Sequence, residues 1–169
     1  MKEKIKSDKK PVAHMIYGFV GAGKTTFAKK LEKETGALRF TNDEWVISLY
    51  GSNPPAEKFA EYHERTTKLL LDTAFKCLKA GIDIILDIGF WSRSRRDEIR
   101  NRITKAGANF QLYHIKCSDE VMRQRTLKRS EDPSKDAFYI NEAAVETFKK
   151  RFEPLDDDEE YIVIENCGD

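Results

Sequence analysis

Short apolar runs alternate with longer amphipathic stretches along this chain, and the alternation predicts strands and helices in turn. Apolar runs closed by glycine or polar residues are typical of buried strands, whereas apolar residues repeating three or four positions apart indicate helices. The predicted strands are 12–17, 37–40, 82–86, 110–115 and 161–164, and the predicted helices are 25–35, 41–50, 56–80, 93–106, 118–129 and 141–152. Strands connected by helices favour right-handed crossovers, so we expect a three-layer α/β fold with a parallel sheet.

Two polar residues are expected to begin helices. Thr41, with Glu44 three residues later, matches a capping box, in which each side chain bonds a backbone N–H of the first turn. Ser118 is a candidate N-cap for the fifth helix. In such folds ligands bind at the carboxyl ends of the strands, so the residues that follow the strands are the first candidates for chemistry.

The length and composition describe one ordinary domain. Of the 169 residues, 40% are apolar and 35% are charged, which suits a soluble globular chain. We expect a charged leader at 1–10 and a single domain at 11–169. The apolar runs are too short to cross a bilayer, and the leader lacks the apolar core of a secretory signal, so we expect no membrane association and a cytoplasmic location. A net charge of +1 provides no overall field that would attract nucleic acid.

The strongest motif lies between the first strand and the first helix. Residues 18–25, Gly-Phe-Val-Gly-Ala-Gly-Lys-Thr, match the pattern G-x-x-x-x-G-K-[ST] in the context that it requires. The glycines let backbone N–H groups face phosphate oxygens, and the helix adds the positive end of its dipole. Lys24 is expected to reach the β and γ phosphates, and the Thr25 hydroxyl to bind Mg²⁺. The predicted ATP-binding residues are Gly18, Gly21, Ala22, Gly23, Lys24, Thr25 and Thr26.

Two acidic residues follow predicted strands. Asp87 follows the third strand, where a carboxylate can hold Mg²⁺ directly or through water; its alternative role is to begin a loop. Asp43 follows the second strand and is a candidate general base, which would accept the proton of an acceptor hydroxyl as that hydroxyl attacks the γ-phosphate. Its alternative role is to face the dipole of the helix that it begins.

Basic residues suggest a lid and a second-substrate site. Arg125 and Arg129 are four residues apart on one helix face, before a charged and poorly patterned segment, and a lid at about 125–140 would bring them to the transferred phosphate. A solvated basic helix face is the alternative. Arg93 and Arg96 follow Asp87 and are candidate ligands of an anionic acceptor. The alternative is that Arg95 and Arg96 lie on the exposed side of a helix, paired with Asp97 and Glu98. Residues 156–160 are interpreted as a solvated acidic turn.

With these residues in place, the chain resembles the small P-loop kinases grouped as AAA-type ATP-binding proteins, which include zeta toxins, chloramphenicol phosphotransferase, gluconate kinase and polynucleotide 5′-hydroxyl kinase. The resemblance rests on residues 18–25, 42–45, 86–90 and 125–129 and covers nearly the whole chain. It implies a five-stranded parallel sheet in the nucleoside-kinase order 2-3-1-4-5. It also implies that Asp43 is the acceptor base and that Arg125 and Arg129 begin the lid.

The sequence leaves the acceptor open, because fold analogy does not choose among the substrates of such kinases. A near-neutral chain favours a small-molecule hydroxyl acceptor. The runner-up is a polynucleotide 5′-hydroxyl end, because arginines are concentrated in the fourth predicted helix: Arg93, Arg95, Arg96, Arg100 and Arg102. A regulatory module that binds ATP without transferring phosphate is the third hypothesis.

Overall fold

Strands and helices alternate in the structure as the hydrophobic pattern predicts. The computed structural model describes residues 9–131, 138, 140 and 142–166, and it describes side chains for all of these except 129–131 and 142. The elements are β1 (Val12–Tyr17), α1 (Lys24–Thr35), β2 (Leu38–Thr41), α2 (Asn42–Tyr50), α3 (Ala56–Lys79), β3 (Ile84–Gly89), α4 (Arg93–Lys105), β4 (Asn109–Lys116), α5 (Asp119–Glu131), α6 (Glu142–Arg151) and β5 (Ile162–Glu165). Most of residues 1–10, the expected leader, and part of the expected lid lie outside the described residues.

The five strands form one parallel sheet in the order β2-β3-β1-β4-β5, which confirms the expected topology. The third strand was predicted to end at Leu86, but it continues to Gly89. The extension has a physical cause: β3 lies between β1 and β2, so its last residues pair on both sides, Asp87 with Thr41 and Gly89 with Tyr17. Asp87 therefore lies inside the strand, near its carboxyl end, and not in a loop.

Helices cover both faces of the sheet. On one face, the apolar stripe of α3 (Leu70, Leu71, Ala74, Phe75 and Leu78) and Ile99 and Ile103 of α4 pack on alternate residues of β1 and β3. On the other face, Ala28 and Leu31 of α1 pack on Ile16, Ile85 and Ile115. The two layers hold the carboxyl ends of β1, β2 and β3 next to the beginnings of α1 and α2.

The caps agree only in part with the predictions. Thr41 is the N-cap of α2, but its side chain makes no capping hydrogen bond, so the predicted capping box is wrong. The Glu44 carboxylate instead accepts hydrogen bonds from Arg39, at 3.0 and 3.1 Å, because a guanidinium competes well for a carboxylate. The Ser118 hydroxyl does accept a bond from the Val121 N–H at 3.4 Å. None of the helices in the described ranges is long and apolar enough to cross a membrane.

Candidate functional site

The glycine-rich loop between β1 and α1 is shaped by close backbone contacts. Gly21 and Gly23 have φ angles of 80° and 91°, in the left-handed region that favours glycine. A Cβ on Gly21 would collide with the Met122 carbonyl oxygen and would lie 2.7 Å from the Thr126 hydroxyl. The loop is therefore packed directly against α5, and this approach requires glycine.

The beginning of α1 is available to an anion. Its N-cap is Gly23, which has no capping side chain, and its first turn contains no acidic residue. The first N–H groups of the helix and the positive end of its dipole thus have no negative side chain from the same turn beside them. Lys24 extends across the loop and donates a hydrogen bond to the Phe19 carbonyl at 2.9 Å. The predicted phosphate-binding residues are thus together in one loop, with the Thr26 side chain exposed at its edge.

Asp87 lies beside this loop. The Thr25 hydroxyl forms a hydrogen bond with its carboxyl group, and only 6% of Asp87 is exposed. Burial raises the pKa of Asp87; the positive charge of Lys24 and the bond from Thr25 oppose that rise. Its second oxygen, Oδ2, is buried and has no hydrogen-bond partner among the described residues. A buried carboxylate oxygen without a partner, next to a threonine hydroxyl, is a donor set that fits Mg²⁺.

Asp43 lies in the first turn of α2, half-buried, where the structure places it within electrostatic reach of Asp87. Its charge further raises the pKa of Asp87. It also acts on His63 of α3, whose pKa is lowered by burial and raised by Asp43. Asp43, Asp87 and Lys24 therefore share one site at the carboxyl ends of β1, β2 and β3. The effect of Asp43 on His63 depends on helix packing that the sequence does not reveal.

More polar groups are buried near the beginning of α2 without partners. Within the described part of the chain, both amide atoms of Asn42, which is 3% exposed, lack a hydrogen bond, and so does the hydroxyl of Thr66 on the buried side of α3. The Nη1 atom of Arg39 is also buried and has no hydrogen-bond partner among the described residues. Buried polar groups without partners are costly, and they collect where water or a ligand completes a site.

The structure describes the side chain of Arg125 but not that of Arg129, the other predicted lid arginine. Arg125 is half-buried, and its Nη1 donates to the Asn166 carbonyl at 3.1 Å and approaches the Cys117 sulfur at 3.8 Å. The same atom would lie 3.7 Å from a Cβ on Gly23, so Arg125 is beside the phosphate loop. Arg129 lies in α5, but its side chain falls outside the described residues.

The structure does not bring Arg93 and Arg96 to the site as substrate ligands. The Arg93 guanidinium is bound by Asp97, Asp156 and Asp158 at 2.7–3.0 Å. Its bonds lower the pKa of Asp158 to about 2. Arg96 is completely buried and is not on the exposed face of α4. Both guanidinium groups are therefore bound by carboxylates of this chain, and we do not propose them as substrate ligands.

The acidic segment at 156–160 agrees with its prediction except at one residue. Residues 156–158 and 160 are exposed around a turn, but Glu159 is 4% exposed and binds the Arg96 guanidinium through both oxygens, at 2.7 and 2.8 Å. Burial would raise the pKa of Glu159, but the hydrogen bonds from Arg96 lower it. Glu159 is buried with Arg96 because a buried guanidinium requires a counter-charge.

Two side chains that no sequence motif indicates contact the phosphate loop. The Trp91 indole N–H donates to the Gly18 carbonyl at 3.0 Å, and the Asn166 side-chain amide donates to the Ala22 carbonyl at 2.8 Å. Trp91 lies outside the phosphate-loop motif, 73 residues from Gly18. Asn166 carries no signal beyond its place after the last strand.

A cavity of about 630 Å³ is lined by residues of the loop, α5 and α6. Phe19 and Val20 of the loop, Met122 and Thr126 of α5, and Val145 and Phe152 are among the residues that line it. Its volume suits a small ligand. Its lining contains neither Asp43 nor Asp87, so it is separate from the acidic site.

Comparison with known proteins identifies the family and the fold. A family model described as AAA domain matches residues 14–155. A kinase candidate from Chloroflexus aurantiacus J-10-fl is 18% identical, with a TM-score of 0.76 over 94% of this chain and 90% of that one. A sugar kinase from Janibacter sp. HTCC2649 is 22% identical, with a TM-score of 0.62 over 92% and 85%. A chain of the Pnkp1/Rnl/Hen1 RNA repair complex is also 22% identical, with a TM-score of 0.70 over 89% of this chain but 46% of that one. At these identities the similarities establish the fold, which is that of P-loop kinases.

Proposed function

We propose, because this chain belongs to the AAA domain family and has the fold of P-loop kinases, that it transfers the γ-phosphate of ATP to a hydroxyl group of a small-molecule acceptor. The observation that carries the proposal is the grouping of Asp43, Asp87 and Lys24 at the end of the sheet, close enough for the charges of Asp43 and Lys24 to change the pKa of Asp87. A phosphate-binding loop binds a nucleotide through its backbone N–H groups and its lysine, and nucleotide binding requires no second carboxylate. A second carboxylate beside it provides a base for an acceptor.

The loop would bind the triphosphate. The N–H groups at the beginning of α1 and the Lys24 ammonium would hold the β and γ phosphates. In the structure Lys24 donates to the Phe19 carbonyl, so it would exchange this bond for phosphate oxygens when ATP binds. Gly18, Gly21, Ala22, Gly23 and Thr26 would complete the cradle, and Arg125 and Arg129 would stabilise charge on the transferred group.

Thr25 and Asp87 would hold Mg²⁺, through the hydroxyl and the unpartnered carboxylate oxygen. When bound, the ion would neutralise charge that develops on the phosphate oxygens. Burial and the charge of the neighbouring Asp43 both disfavour the ionised form of Asp87, because two carboxylates close together repel. A bound cation would offset this repulsion. We infer the ion from this donor set and the loop chemistry.

Asp43 would be the general base. It is half-buried at the beginning of α2, within electrostatic reach of Asp87, and a carboxylate there can accept the proton of a hydroxyl that attacks the γ-phosphate. His63 is within electrostatic reach of the same carboxylate and would help to orient it or the acceptor. The unpartnered amide of Asn42 is one residue away and offers both a donor and an acceptor.

The charges around the site favour a neutral acceptor with hydroxyl groups. Each of the five α4 arginines that suggested nucleic acid has an acidic partner: Asp97, Asp156 and Asp158 for Arg93, Glu98 for Arg95, Glu159 for Arg96, Asp97 for Arg100, and Asp72 and Glu98 for Arg102. Paired arginines attract phosphate chains weakly, because their field is largely cancelled. A sugar or another polyol therefore fits better than a polynucleotide end.

A polynucleotide acceptor is the second candidate, supported by the similarity to a chain of an RNA repair complex. It makes a distinct prediction: binding of 5′-hydroxyl oligonucleotides would weaken steeply as salt concentration rises. We expect little salt dependence, and we also expect the protein to act in the cytoplasm, where ATP is available.

The test is ADP release from ATP and Mg²⁺ in the presence of separate pools of sugars, nucleotide sugars, antibiotics with free hydroxyl groups, and 5′-hydroxyl oligonucleotides. We expect one pool to stimulate release in the wild type. Asp43→Asn should lower this stimulated rate at least a hundredfold and leave ATP affinity within about threefold. Asp72→Asn is a matched control on the exposed side of α3 and should behave as wild type. ATP binding without stimulation by any pool would favour the regulatory module instead.

A further inference from the structure

The phosphate loop is held from outside at its first residue. The Trp91 indole N–H donates to the carbonyl of Gly18 at 3.0 Å. The Trp91 ring also stacks near Phe19, with ring centroids 6.0 Å apart. Both contacts join the segment after β3 to the loop that follows β1.

A second side chain holds the other end of the loop. The Asn166 amide donates to the carbonyl of Ala22 at 2.8 Å. Asn166 is itself fixed by its backbone, whose N–H donates to Lys116 at 2.8 Å and whose carbonyl accepts from Arg125 at 3.1 Å. Its position is therefore set by β4 and α5 and not by the loop.

These two bonds determine which way the loop N–H groups point. In a trans peptide, the C=O of one residue and the N–H of the next point in opposite directions. A donor that holds the Gly18 carbonyl outward directs the Phe19 N–H inward, and one that holds the Ala22 carbonyl outward directs the Gly23 N–H inward. We propose that Trp91 and Asn166 are positioning residues, which fix the two ends of the loop so that its N–H groups face the phosphates before a nucleotide arrives. This inference rests on the proposed nucleotide binding but not on phosphate transfer.

The turn that positions Trp91 has a strained backbone. Phe90, directly before it, has a φ angle of 51°, in the left-handed region that a bulky residue rarely adopts. The turn is held by Arg96, which donates to the carbonyls of Phe90 and Trp91 at 3.2 and 3.3 Å, and by Glu153, whose N–H donates to Trp91 at 2.9 Å. A strained turn that is held from several sides is typical of a functional position.

The test compares two equal substitutions. Trp91→Phe keeps an aromatic ring but removes the N–H donor, whereas Trp45→Phe makes the same change in a tryptophan that packs on the core beside Phe40. Affinity for ATP and for inorganic tripolyphosphate, both with Mg²⁺, is measured by calorimetry. Tripolyphosphate has no base or sugar, so its affinity isolates the loop. Melting temperatures without ligand show whether each variant is folded.

We expect Trp91→Phe to weaken both ligands by the same factor, about fivefold, as for the loss of one hydrogen bond. Trp45→Phe should leave both affinities unchanged. Asn166→Ala should act like Trp91→Phe, and it tests the inference independently if Trp91→Phe fails to fold. In turnover assays the loss should appear in the KM for ATP and not in the KM for the acceptor.

Unchanged tripolyphosphate affinity in folded Trp91→Phe and Asn166→Ala would overturn the inference, even if the protein is a kinase. If the wild type binds ATP and tripolyphosphate but phosphorylates no acceptor, the proposed function fails while the inference is judged by these affinities alone. A fall in ATP affinity without a fall in tripolyphosphate affinity would also contradict it, because the effect would then concern the base or sugar.

Discussion

Arg96 and Glu159 form a completely buried ion pair with both side chains fully removed from solvent. The guanidinium Nε and Nη2 atoms donate to the two carboxylate oxygens at 2.7 and 2.8 Å, and its remaining donors reach backbone carbonyls, including Phe90 and Pro154. Sixty-three residues separate the two partners. The pair therefore fastens the segment before β5 to the beginning of α4, where Trp91 and the strained turn lie.

Removing one partner of this pair is expected to be severe. Glu159→Gln would leave a buried guanidinium without a counter-charge and should lower the free energy of unfolding by about 3–5 kcal/mol. Asp157→Asn, an exposed neighbour in the same segment, should change it by less than about 0.5 kcal/mol. Urea denaturation followed by circular dichroism measures both. Similar midpoints for the two variants would show that the pair contributes little.

The sequence was sufficient for the elements and the phosphate loop because both are local patterns. Apolar periodicity determines α3, and the glycines and Lys24 lie within eight consecutive residues. Arg96 and Glu159 could not be predicted, since charged residues are usually exposed and their partner is chosen by the fold. For the same reason, Asn166 could not be recognised as a contact of the loop. What depends on distant residues meeting in space required the structure.

A further prediction concerns the close contacts around Gly21. Gly21→Ala would force a Cβ against the Met122 carbonyl and the Thr126 hydroxyl, so the loop must shift and ATP affinity should fall at least tenfold. Gly36→Ala is the matched control, because Gly36 has a φ angle of 72° but nothing lies within 4 Å of its Cβ position. It should cost about 1 kcal/mol of stability through backbone strain alone and leave ATP affinity unchanged. Equal ATP affinity in both variants would contradict a tightly packed loop.

Asp87→Asn should change metal dependence more than stability. The substitution keeps the shape of a buried side chain and removes a charge that burial disfavours, so the melting temperature should stay the same or rise. The amide is a weaker Mg²⁺ ligand than a carboxylate, and half-maximal ATP turnover should require at least tenfold more Mg²⁺. Asp72→Asn is the control for the loss of a surface carboxylate. A Mg²⁺ midpoint that matches the wild type would remove Asp87 from the metal site.

His114 should make the fold sensitive to mild acid. Its Nδ1 is buried without a partner, its ring packs edge-on against Tyr17 at 4.9 Å, and burial, with a smaller effect of the Lys116 charge, lowers its pKa from 6.5 to about 4. Because the unfolded chain binds this proton more readily, the contribution of neutral His114 to stability is fully present above pH 6.5 and is lost as the pH falls towards 4. The loss should be about 2 kcal/mol after allowance for partial solvent exposure. His14 and His63, whose pKa values burial also lowers, add to the same trend.

His114→Phe removes the titrating group but keeps an aromatic ring, so urea unfolding measured between pH 7 and 4.5 should show a shallower fall in stability than in the wild type. An identical slope would place the acid sensitivity in the other two histidines or in the carboxylates.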